Sequence, residues 1–75
     1  MVTDLKHILI FKTNIQTYID VQNIQQSLIA EDAIQQWNID QKDPDCVLRI
    51  VSPALAPEKI IAIINNCGYE CTELI

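Results

Sequence analysis

The sequence predicts an α+β protein in which two helices cover one face of a four-stranded antiparallel sheet, in the order βαββαβ. Three stretches carry that prediction. The run HILIFKT (7–13) has the length and the β-branched and aromatic content of a buried strand. Residues 33–41 alternate apolar and polar, as a half-buried antiparallel strand does, and turn chemistry and a second strand follow them. The stretch PEKIIAIINNCGYEC (57–71) reads as a helix start, an apolar helix face, a glycine stop and a new strand.

Taken in order, the first strand is apolar on both sides, which suits a central position or a partner on its second face. Ile8 and Ile10 are expected to face the helices, and Leu9 and Phe11 the open side. Asn14 and Ile15 lead into a helical pattern with Thr17, Val21, Ile24 and Leu28 on one stripe and Gln22, Gln25 and Gln26 off it. Ile19 falls opposite that stripe and is expected to be exposed. In the second strand Trp37 and Ile39 share the inner side, while Gln36, Asn38 and Asp40 point outward. Lys42, Asp43, Pro44 and Asp45 supply a turn. The third strand, 46–51, then sends Leu48 and Ile50 inward and Val47, Arg49 and Val51 outward. Pro57 suits the first helical position and Glu58 complements the positive end of the helix dipole. Ile60, Ile63, Ile64 and Cys67 recur at three- and four-residue spacing, so they form the covered side of the second helix. Gly68 can take the left-handed conformation that ends helices, and 69–75 reads as the last strand.

Seventy-five residues make one domain spanning 1–75, of a size that buries about 60% of its unfolded surface. An apolar fraction of 49% is that of a globular chain, and no apolar run approaches the roughly 20 residues of a membrane span. The start of the chain reads as a first strand rather than a signal peptide, so the expected location is the cytoplasm. A net charge of −5 argues against phosphate-backbone binding, so no nucleic acid is expected as partner, and the lack of a spanning apolar run leaves no membrane partner expected either. Three cysteines are too few for a disulfide scaffold and read as reduced thiols that pack as small hydrophobes. Cys46 is expected near the sheet end that carries His7. One His, one Gly and no phosphate-binding loop leave no nucleophile elbow or P-loop, so the chain is not expected to be an enzyme.

The run PEKIIAIINNCGYE and the spacing from Ile15 through Thr17 to Leu28 resemble the heavy-metal-associated domain family, the small ferredoxin-like domains of copper chaperones and metal-transporting P-type ATPases. The resemblance covers nearly the whole chain. It implies a metal site of the form M-x-C-x-x-C at the start of the first helix, where two thiolates grip a soft ion such as Cu(I). In that register Ile15 stands in the Met position, Thr17 in the first Cys position and Asp20 in the second, so both thiolates are missing. No metal cofactor is therefore expected at Thr17 and Asp20. The topology lets Cys67, Asp20, Thr17 and Tyr69 approach one another, and Asp20 with Cys67 forms an alternative, weak set for Zn or Cu. The plainer reading has Cys67 packed and Asp20 solvated.

Three functions remain open from the sequence. The first is an interaction module working through an apolar patch of Leu9, Phe11, Val47 and Val51 beside Arg49 on the open sheet face, with a second copy or another protein as partner. The second is a metal carrier using the Asp20 and Cys67 set. The third is a small-ligand regulatory domain of the ACT kind, which shares the βαββαβ order.

Overall fold

The computed structural model describes residues 7–74. Six elements follow the expected order: β1 (Ile8–Thr13), α1 (Tyr18–Ile29), β2 (Gln36–Asp40), β3 (Val47–Val51), α2 (Pro57–Asn66) and β4 (Cys71–Glu73). The sheet is antiparallel with strand order β2-β3-β1-β4, so β1 and β3 are the central pair and β2 and β4 the edges. This is the expected α+β architecture. Phe11, Ile15, Ile24, Leu28, Leu48, Ile50, Ile60, Ile64 and Cys71 form the buried core between sheet and helices, with Trp37 and Ile39 packed against it from β2.

Local chemistry sets the element ends. Pro57 begins α2, and at its other end Gly68 takes φ +94° while the Tyr69 N–H donates to the Ile64 carbonyl at 3.2 Å. In the β2–β3 turn the Asp45 N–H donates to the Asp43 carboxylate at 2.8 Å. Cys46 follows with φ +44°, in the left-handed region, and its carbonyl accepts the buried Thr13 hydroxyl at 2.7 Å. That bond ties the turn to the end of β1. It also places Cys46 at the opposite end of the sheet from His7, whose carbonyl accepts the Ser52 N–H at 2.9 Å. The expected neighbourhood of Cys46 and His7 is thus corrected: β1 and β3 run antiparallel, so the first residue of one lies beside the last of the other.

The faces of β1 are inverted relative to the expectation. Phe11 is 0% exposed and Leu9 packs on the core, while Ile8 and Ile10 lie on the open side, Ile10 being 37% exposed. Leu9 opposes Ile50 and Phe11 opposes Leu48, and directly opposed residues share a face, so Leu9 and Phe11 follow the inward residues of β3. Lys12, out of phase with Phe11, points to solvent and pairs with Asp45 at 3.6 Å. The open patch read from the sequence accordingly loses Leu9 and Phe11. Val47 is buried, and Val51 is half-buried beside exposed Arg49. A one-residue change of phase moves a whole strand's side chains across the sheet.

Candidate functional site

The loop from β1 to α1 is fixed residue by residue. Thr13, at the end of β1, accepts the Ile15 N–H on its hydroxyl at 3.2 Å, which turns the chain and drives Ile15 into the core at 0% exposure. Thr17 is the N-cap of α1, with extended backbone angles, rather than a member of the helix stripe. Its hydroxyl accepts the Asp20 N–H at 3.1 Å, and the Asp20 carboxylate returns the bond by accepting the Thr17 N–H at 3.0 Å. This is a capping box. The same carboxylate oxygen also accepts the Gln16 N–H at 3.0 Å, while the Gln41 amide at the end of β2 donates to the Thr17 carbonyl at 2.9 Å.

The second oxygen of Asp20 faces the turn between α2 and β4. It accepts the Tyr69 hydroxyl at 2.8 Å, and that hydroxyl in turn accepts the Asn23 amide at 2.9 Å. One residue further on, the Glu70 N–H donates to the Asn14 side chain at 2.8 Å, so the α2–β4 turn is tied both to α1 and to the loop before it. Hydrogen bonds to the charged form govern the titration of Asp20. The Tyr69 hydroxyl, followed by the Gln16 and Thr17 amides, holds the carboxyl below the usual carboxylate range against partial desolvation. For Tyr69 the Asn23 amide favours ionisation, but the bond to Asp20, partial burial and the nearby negative charge outweigh it and raise the phenol above its ordinary value.

Cys67 lies at the end of α2, half-buried, and its thiol contacts the Ser27 hydroxyl at 3.4 Å. It faces α1 at Ser27 rather than sharing a partner with Asp20. The expected approach of Tyr69 to Asp20 is present, whereas Asp20 and Cys67 bond to different groups. Cys71 is buried on β4, where desolvation pushes its thiol up to about 11. The roles of Asn14, Asn23, Ser27 and Gln41 had no signal in spacing, because each depends on which loops meet. The capping box did have one: Thr17-x-x-Asp20 ahead of an apolar run is the sequence signature of a helix start.

No protein-family model matches this sequence, and no curated protein matches it. Solved structures do. The copper(I)-loaded first domain of the human copper chaperone for SOD1 superposes with a TM-score of 0.74 at 15% identity, over 88% of this chain and 89% of that one. The yeast copper transporter domain CCC2A gives 0.77 at 17% identity, over 91% and 94%. The apo HMA domain of a copper chaperone for superoxide dismutase gives 0.77 at 15% identity, over 100% of this chain and 79% of that one. The fold is that of the heavy-metal-associated domains.

On this heavy-metal-associated fold the donor set at the start of α1 does not suit a soft ion. Thr17 and Asp20 offer a hydroxyl and a carboxylate where thiolates are needed, and both Asp20 oxygens already accept hydrogen bonds. Among the described residues no three His, Cys, Asp or Glu side chains converge as a metal set. No helix among them is long and apolar enough to cross a membrane.

Proposed function

We propose that this chain is a non-enzymatic interaction module built on the heavy-metal-associated fold, in which a hydrogen-bonded cap takes the place of the soft-metal site and the work is done by protein contact. The observation that carries the proposal is the saturation of Asp20. Its carboxylate accepts two backbone N–H groups and the Tyr69 hydroxyl, so engaging a metal there would strip the first turn of α1 of its cap. Contact is supported by the surface beside the cap. Tyr18 and Ile19 are 73% and 65% exposed, and Asp20 is the only charged residue of α1. Exposed aromatic and aliphatic groups on a surface poor in charge are the composition found at the centre of protein interfaces.

An anaerobic equilibrium titration of the wild-type chain with Cu(I) against a competing chelator tests this reading. The expected result is that the chelator keeps the metal, because a single thiol and oxygen donors hold Cu(I) weakly. Retention of one Cu(I) per chain against the competitor overturns it.

A further inference from the structure

Resting on the interaction reading, we infer that the partner is a second copy of this chain, added antiparallel along the free edge of β2 so that two four-stranded sheets become one of eight. β2 is an edge strand, so alternate backbone N–H and C=O groups along it point away from β3 toward any strand that arrives. Edges are commonly blocked by Lys, Pro, brevity or inward charge. β4, the other edge, is three residues long and ends in Glu73; β2 is five residues long, has neither Lys nor Pro, and turns Trp37 and Ile39 inward. Its edge is open.

The occupant follows from the order of residues in β2. An antiparallel pairing centred on Asn38 sets Asn38 against the partner subunit's Asn38, Gln36 against the partner subunit's Asp40, and Trp37 against the partner subunit's Ile39. No like charges meet. On the outer face two amides and two amide–carboxylate pairs can hydrogen-bond, and on the inner face an aromatic ring lies against a β-branched chain, a favourable cross-strand pair. Trp37 and Ile39 are only half-buried in one chain, and this contact covers them further. The strand is complementary to its own copy, as an isologous two-fold contact requires.

The helix above the edge matches. At 100° per residue Tyr18, Gln22, Gln25 and Ile29 lie in one stripe along α1. Ser27, which faces Cys67 at the end of α2, lies on the opposite side of the helix, so the stripe looks away from α2. β2 lies on that side of the sheet, since α2 packs on β4 and β2 is the far edge. The stripe is uncharged, with Tyr18 and Ile29 73% and 61% exposed. The two-fold axis runs α1 antiparallel to its copy, which sets Tyr18 toward the partner subunit's Ile29 at each end of the stripe, with the uncharged Gln22 and Gln25 amides between them.

Sedimentation equilibrium over a concentration series, with the folded state of each variant checked by circular dichroism, tests the inference. The wild type is expected to dimerise reversibly. Asn38→Lys, at an exposed position, sets two ammonium groups opposite each other at the axis and is expected to raise the dimer Kd about tenfold. Gln36→Lys meets the partner subunit's Asp40 and is expected to lower it severalfold, whereas Gln36→Glu is expected to raise it. A wild type that stays monomeric at millimolar concentration overturns the dimer, and so does a dimer whose Kd ignores all three substitutions. Either outcome leaves the Cu(I) titration, and the cap it reports on, unaffected.

Discussion

Asp20 behaves as a structural group, its carboxylate accepting the Gln16 and Thr17 N–H groups and the Tyr69 hydroxyl. Because its hydrogen bonds lower its pKa in the folded chain, its contribution to stability is present above the unfolded value and is lost as pH falls through the folded one. Asp20→Asn is therefore expected to melt below the wild type at neutral pH. The gap should begin to narrow as pH falls past the unfolded carboxyl's ordinary value of about 4, and close once pH has fallen below the lowered folded value. A gap that is constant with pH would detach the carboxylate from the cap. Thr17→Ala removes the other half of the capping box and is expected to cost about 1 kcal/mol, read as a fall in Tm of roughly 4–8 °C for a chain of this size. The thiols sort by burial. Half-buried Cys67 is expected to react with an aromatic disulfide reagent at pH 8 while Cys46 and Cys71 wait for unfolding, Cys71 also being held protonated by its raised pKa. The spacing Thr17-x-x-Asp20 was readable as a helix cap without any structure. Compared only with a cysteine motif, it showed two missing thiolates and hid a complete capping box.

At the scale of elements, five of the six segments follow from periodicity and punctuation, and α2 follows most directly because Pro57 and Gly68 mark its ends. The first strand was legible as a strand and illegible in phase. Four successive apolar residues, Ile8 to Phe11, give alternation no starting point, and only Lys12 carried the phase: a solvated ammonium sets Ile10 and Ile8 on its own side. A pair of substitutions tests that assignment. Phe11→Asp places a carboxylate in the core, and with about 4–11 kcal/mol in total for 75 residues the chain is expected not to fold. Ile10→Asp, one position away on the open face, is expected to keep the native circular dichroism spectrum. The reverse result would restore the opposite phase. The edge of β2 could not be identified from local sequence, since which strand lies outermost depends on long-range pairing. Once the order β2-β3-β1-β4 is known, the self-complementarity of QWNID is plain.

Across the whole molecule, this chain shares the heavy-metal-associated fold with copper-handling domains at 15–17% identity, and here the fold rests on inward apolar positions on the strands and helices, a proline start and a glycine stop for α2. The site needs more. It needs particular atoms at the start of α1, and on the proposed reading Thr17 and Asp20 exchange soft-metal chemistry for a hydrogen-bonded cap that also joins α1 to the α2–β4 turn through Tyr69. Fold was thus legible from pattern, while the character of the site rested on contacts between residues 49 positions apart in the chain. Side-by-side Cu(I) competition titrations of the wild type and of a Thr17→Cys, Asp20→Cys double variant measure that exchange most directly. The cap account predicts that the wild type yields its copper to the chelator, while the double variant retains one Cu(I) per chain and, without metal, melts at a lower temperature than the wild type. Equal retention by the two proteins, or a metal-free double variant as stable as the wild type, would contradict it.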